Sequence, residues 1–206
     1  MKRYLLRSGV LALGAFLMAT CLLAQAVQAA PINYSFTGTG TGTIGGTNFT
    51  DATFAVSINA DTGNITTPPV PFGIAYQISN LTGTIDIGGI GLVSFTDPLF
   101  VFSGNPFGTF NQFAFGNFVQ GNLIAIMEPG VATAYDLASD YGPVTNDNYM
   151  LYQFSDVATN LGMLTYTSMS PVTFTATLTA VPEPTSMLLF GSGLIGIWLS
   201  RRMMRR

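Results

Sequence analysis

Between Ser8 and Ser200 the chain contains no lysine, arginine or histidine. All seven basic residues lie at the two ends, with Lys2, Arg3 and Arg7 in front and Arg201, Arg202, Arg205 and Arg206 behind. Nucleic-acid binding rests on Lys and Arg at phosphates, so the long middle segment is excluded from that class. The single cysteine, Cys21, sits in the N-terminal apolar stretch, so nothing downstream of it can form a disulfide, a thiolate nucleophile or a cysteine metal site. Without His, Cys, Lys or Arg there is no Ser-His-Asp or Cys-His site, no Schiff base and no His/Cys zinc centre. Glu128 is the only glutamate before the tail, and no Asp pair has the setting of a glycosidase. The expectation is a non-enzymatic protein with no cofactor.

What is present begins with a leader. A basic start at Lys2 to Arg7, the apolar run "GVLALGAFLMATCLLA" and small residues at Val27 and Ala29 read as a secretory signal peptide over residues 1–29. Cleavage is expected after Ala29, with a cut after Ala26 as the second choice. The exported part, residues 30–180, has the length of one domain with a real core. It carries Asp51, Asp61, Asp86, Asp97, Glu128, Asp136, Asp140, Asp147 and Asp156 and no cation, a side-chain charge of −9. Lys/Arg salt bridges are therefore unavailable, and stability must come from apolar burial and hydrogen bonds.

Alternation of apolar and polar residues recurs through this region, the mark of half-buried strands. Phe54, Val56 and Ile58 share one face, as do Ile74, Tyr76 and Ile78. In "VTFTATLTA", Val172, Phe174, Ala176, Leu178 and Ala180 point one way and Thr173, Thr175, Thr177 and Thr179 the other. Turn chemistry separates the runs: Asp61-Thr62-Gly63-Asn64, a proline cluster at Pro68, Pro69 and Pro71, and Gly88-Gly89 as a tight hairpin. The pattern predicts an all-β domain, an antiparallel β-sandwich or jelly roll. "VATAYDLASDYG" reads as a short helix or a long loop. "TGTGTGTIGGT" reads as a flexible or edge segment. Phe100, Phe102, Phe107, Phe110, Phe113, Phe115 and Phe118 crowd one span and are read mainly as core, the sharper alternative being an exposed aromatic face for self-association or ligand contact.

Candidate binding groups are few. Asp136, Asp140, Asn146, Asp147 and Asn148 offer hard oxygen ligands, but their spacing departs from the calcium-loop pattern. A solvated acidic loop is the preferred reading, and Asp136, Asp140 and Asp147 stay as calcium candidates. The only tryptophan, Trp198, lies in the tail, so glycan contact would fall to Tyr34, Tyr76, Tyr135, Tyr141, Tyr149, Tyr152 and Tyr166. The Thr row of "VTFTATLTA" suits solvated strand surface better than an ice lattice.

The chain closes in "VPEPTSMLLFGSGLIGIWLSRRMMRR". Its apolar run, Met187 to Leu199, would span about 20 Å as a helix against a hydrocarbon core of about 30 Å. That makes a short transmembrane helix, held on the cytoplasmic side by Arg201, Arg202, Arg205 and Arg206. A marginal helix, an arginine stop and Pro182-Glu183-Pro184 just outside have the logic of a removable sorting tail. The ordered triplet of motif, apolar run and Arg cluster resembles the bacterial PEP-CTERM proteins, and the likeness covers residues 181–206. The resemblance implies that Pro182, Glu183 and Pro184 are recognised by an exosortase, a membrane-embedded Cys-dependent processing enzyme, and that these residues are substrate. It further implies a Gram-negative host, passage through the inner membrane, residence in the cell envelope or extracellular biofilm matrix, and exopolysaccharide as a candidate partner. The alternatives are a secreted glycan- or Ca-binding β-sandwich module and a protein permanently anchored by its C-terminal helix.

Overall fold

The computed structural model describes residues 29–70, 73–105, 110–129, 134–146 and 154–179. The signal peptide over 1–28, the PEP motif, the apolar run and the arginine tail lie outside the described residues. Within them the chain is built from strands β1 (Pro31–Ile44), β2 (Thr47–Asp61), β3 (Ala75–Leu81), β4 (Gly83–Ile87), β5 (Gly91–Ser94), β6 (Leu99–Gly104), β7 (Phe110–Asn117), β8 (Gly121–Pro129), β9 (Tyr141–Asn146), β10 (Val157–Thr159), β11 (Gly162–Met169) and β12 (Val172–Leu178). The only helical element among them is a single 3-10 turn, Thr62–Asn64. No helix among the described residues is long and apolar enough to cross a membrane.

All pairings are antiparallel, and they form two sheets. The larger runs β10-β11-β1-β2-β4-β5, with β12 and β9 added beside β1; the smaller runs β3-β6-β7-β8. Strand β1 is the hub. On one side it pairs with β2 over its whole length, and on the other its first half pairs with β12 and its second half with β11. The larger sheet curls until its edges meet: Thr96 N–H donates to the Ala158 carbonyl (3.1 Å), and Asn160 N–H donates to the Ser94 carbonyl (3.0 Å). Closure of this kind hides backbone groups that an open edge would expose.

Strand period two decides what fills the space between the sheets. From the larger sheet come Ile32, Tyr34, Phe36, Phe54, Val56, Ile58 and Phe174, all buried. From the smaller come Ile78, Val101, Phe113, Phe115, Ile124 and Ile126. Aromatic rings join them: Phe113 stacks on Phe174 with centroids 4.6 Å apart, and Phe36 meets Phe115 at 4.9 Å. Such pairs contribute roughly 0.5–1.5 kcal/mol each beyond the area they bury, in a domain whose described residues include no cation.

The sandwich, the faces of β2 and β12 and the Gly88-Gly89 hairpin agree with the sequence reading. Three expectations change. "TGTGTGTIGGT" is neither flexible nor an edge, because most of it is the second half of β1, with strands on both sides. Its glycines make room: a Cβ at Gly38 would lie 3.0 Å from the Phe54 ring, and one at Gly40 would lie 2.7 Å from the Tyr166 ring. Ile74 does not share a buried face with Ile78; it precedes β3 and is 57% exposed, since the turn at Gly73 (φ +78°) delays the start of the strand. Of the phenylalanine cluster, Phe100, Phe113 and Phe115 are buried, Phe102 and Phe110 half-buried, and Phe118 is exposed on the β7–β8 turn; Phe107 lies outside the described residues. The described part of "VATAYDLASDYG" is a loop leading into β9, with Tyr135 and Leu137 turned inward.

Candidate functional site at the end where both termini leave

The first and last strands of the domain are neighbours. Antiparallel pairing sets Ile32 opposite Leu178, so the start of β1 and the end of β12 lie side by side, about 4.8 Å apart at ordinary strand spacing. Hydrogen bonds fix this end of the sheet. Thr179 N–H donates to the Pro31 carbonyl at 2.8 Å, and Leu178 N–H donates to Asp140 Oδ1 at 2.6 Å. On the other flank Thr62 N–H donates to the Ala30 carbonyl (3.1 Å), and Ala30 N–H donates to Thr62 Oγ1 (2.9 Å). Asp61 shapes that corner by accepting the Gly63 N–H at 2.8 Å, a side-chain cap on the 3-10 turn.

Ala29, the expected cleavage residue, is exposed immediately before β1. The segment before it and the segment after Thr179 therefore depart from adjacent strands at one end of one sheet. Sequence reasoning identified both segments but not what holds the end together: Thr62 was read only as part of a turn and Asp140 only as a calcium candidate, and neither role is marked by a motif.

A second polar cluster lies nearby, under the loop that leads into β9. Tyr141 donates its phenol proton to Glu128 Oε2 at 2.7 Å, and Glu128 is registered opposite Asn111 on β7. Tyr34 donates to the Leu137 carbonyl at 2.6 Å, and Tyr135 donates to the Ser139 carbonyl. Burial is the leading cause that pushes these phenols up, with Asp136 adding to it at Tyr34 and Tyr135; Tyr141 is pushed up to about 12 by burial and then by Glu128. The Tyr141–Glu128 bond ties β9 to β8, while Tyr34 and Tyr135 are satisfied by carbonyls of the loop before β9.

The calcium candidates are only partly assembled. Asp136 and Asp140 are exposed in the same loop, and each has an oxygen engaged by a backbone N–H, from Ala138 (2.9 Å) and Leu178 (2.6 Å). Asp147 lies outside the described residues, and among the described residues no group of three carboxylates could hold a metal. Glycan platforms fare differently from expectation. Tyr34, Tyr135 and Tyr166 are buried and Tyr76 and Tyr141 half-buried, because each faces the space between the sheets; Tyr149 and Tyr152 lie outside the described residues.

A family model of the PEP-CTERM protein-sorting motif matches residues 180–206. The chain carries a PEP-CTERM sorting tail. The match spans the tail that leaves β12, including Pro182, Glu183, Pro184, Arg201, Arg202, Arg205 and Arg206. It implies exosortase-dependent sorting of an exported protein to the envelope of a Gram-negative-type bacterium. No curated protein and no solved structure matches the chain. For a chain with this tail the geometry of the terminal strands has a direct meaning. The sorting tail begins right after a strand that is zipped to the start of the domain, so the motif follows the folded body by only three residues, Thr179 to Val181.

Proposed function

We propose that residues 30–180 are a non-enzymatic building element of the cell envelope or extracellular matrix, held at the inner membrane during export and released from it by exosortase processing at Pro182-Glu183-Pro184. The observation that carries this reading is the pairing of β1 with β12, which supports a domain suspended from the membrane by one end. Both apolar segments would enter the bilayer from that end, with Lys2, Arg3, Arg7 and the four tail arginines on the cytoplasmic side. The span from Leu178 to Glu183 is at most about 17 Å of extended chain, so an exosortase acts close beneath the folded body. Two prolines, one on each side of Glu183, favour an extended peptide there. A non-enzymatic role is supported by the absence of His, Cys, Lys and Arg from the delivered part. The matrix assignment, with exopolysaccharide as a partner, is supported by the sorting route. The glycan- and Ca-binding alternatives draw less support, since the described tyrosines are buried or half-buried and the acidic loop has its oxygens partly engaged.

Intact mass of the protein from its native host tests the processing step. The wild-type chain is expected to end near Glu183, and Glu183→Ala to retain the sequence through Arg206. A wild-type chain that also retains Arg206 would refute processing and favour a permanent anchor.

The charge distribution gives an independent handle on the delivered form. Trypsin cuts after Lys and Arg, so the delivered form, from Ala30 to about Glu183, is expected to survive uncut even when fully unfolded, whereas a chain that kept its leader and tail would be trimmed to residues 8–201. Electrophoresis after digestion in denaturant checks this, and any internal trypsin fragment would contradict it.

A further inference from the structure

We propose that hydrolysis of the Ala29–Ala30 bond creates an α-ammonium that seats on Thr62 Oγ1 and serves as the sole cation of the delivered domain. The inference rests on the export reading above and goes beyond it by assigning the new terminus a site. In the reaction, catalysed by a signal peptidase, water supplies the hydroxyl of the departing Ala29 carboxylate and the proton gained by Ala30 nitrogen; that amine is protonated at neutral pH.

Among the described residues Ala30 is the first whose backbone N–H and carbonyl are both held by the fold. Its nitrogen lies 2.9 Å from Thr62 Oγ1, and its carbonyl accepts the Thr62 N–H at 3.1 Å. One residue thus grips both polar groups of Ala30, while Ala29 is exposed. The space beside it is shared with a carboxylate. A Cβ built on Gly63 would lie 2.8 Å from Ala29 Cβ and 3.2 Å from Asp61 Oδ1, so departure of Ala29 clears the corner next to Asp61. The carboxylate at this corner is Asp61 at the end of β2, whereas Asp140 is bonded to Leu178 on the opposite flank of β1. No Lys, Arg or His between Ser8 and Ser200 competes for Asp61. An amide N–H at Ala30 offers Thr62 a neutral donor, whereas the ammonium offers a charged one, which makes the stronger hydrogen bond. A cut after Ala26 would leave Val27, Gln28 and Ala29 ahead of the corner and keep Ala30 an amide.

The test uses the full chain exported with its own leader from a Gram-negative host. N-terminal sequencing of the mature protein is expected to read Ala30-Pro31-Ile32. With Lys2 gone, an amine-reactive ester at neutral pH should then place a single label per chain. We expect labelling of the wild type and of Thr62→Ser to be about ten-fold slower than that of Thr62→Val, the loss of a hydrogen bond to a charged group. A different first residue would overturn the proposal, as would equal labelling rates in the wild type and Thr62→Val. Tail retention in Glu183→Ala is read separately, so the sorting proposal can stand or fall without this one.

Discussion

Above pH 10 the folded domain is expected to lose stability steeply, and most of the loss should come from buried phenols. Tyr34, Tyr135 and Tyr166 are buried, and burial is the first cause holding each phenol well above its ordinary value of 10.0. The unfolded chain has no such restraint, so its phenols ionise near that value. Between the unfolded and the folded pKa the unfolded state therefore binds fewer protons than the native state. The contribution of these phenols is full below pH 10 and falls as the pH climbs, by up to about 1.4 kcal/mol per pH unit for each of the three. In most proteins lysines titrate over the same range; between Ser8 and Ser200 there are none. Denaturant midpoints followed from pH 8 to 12, with phenolate absorbance recorded alongside, measure both halves of the linkage. Tyr166→Phe sharpens the experiment, because the Tyr166 hydroxyl is buried without a hydrogen-bond partner among the described residues. Its removal should leave neutral-pH stability unchanged or slightly higher and make the alkaline decline shallower. Phenols that ionise near pH 10 in the folded protein, with no change in midpoint, would contradict the burial argument.

The strand faces that sequence reveals are those whose side chains themselves fill the core. Phe54, Val56 and Ile58, or Val172, Phe174 and Ala176, show the two-residue period because each inward position carries its own apolar group. The second half of β1 also keeps period two, Thr outward and Gly inward, but its inward positions are filled from elsewhere. Gly38 yields to Phe54, and Gly40 to Tyr166, from β2 and β11. Glycine at those positions reads as flexibility when only local chemistry is considered, and as close approach once the neighbours are known. Ile74 erred the other way, continuing a pattern that the backbone begins one residue later. The site has the same split. A sorting signal is read from linear sequence by its processing enzyme, so Pro182-Glu183-Pro184 and the arginines are legible without a fold. The grip of Thr62 on Ala30 joins residues 32 apart, and no linear pattern encodes it.

The glycine row of β1 supplies the most discriminating test of that reading. At Gly42 a Cβ would overlap the Thr165 carbonyl oxygen and lie 2.9 Å from Phe49 Cζ. A backbone atom of the neighbouring strand cannot rotate away, so β11 must shift, and Gly42→Ala is expected to destabilise by about 3 kcal/mol or more. At Gly40 the contacts are the Tyr166 ring at 2.7 Å and the Ser168 carbonyl at 2.9 Å; relief requires moving a core ring as well as a strand, and about 2 kcal/mol is expected. At Gly38 the nearest atoms are the Phe54 ring at 3.0 Å and the Pro171 carbonyl at 3.2 Å, a crowding that a few tenths of an ångström would relieve, so about 1 kcal/mol is expected. Thr43→Ala lies on the other face of the same strand and should stay within about 0.5 kcal/mol. Chemical denaturation of the four variants measures the order. If the row were a flexible or edge segment, all four would match the wild type. If it is the packed spine of the sheet, the three glycine variants rank by the rigidity of what their new Cβ meets, and trimming Phe49 fails to rescue Gly42→Ala because the obstructing atom is a carbonyl oxygen.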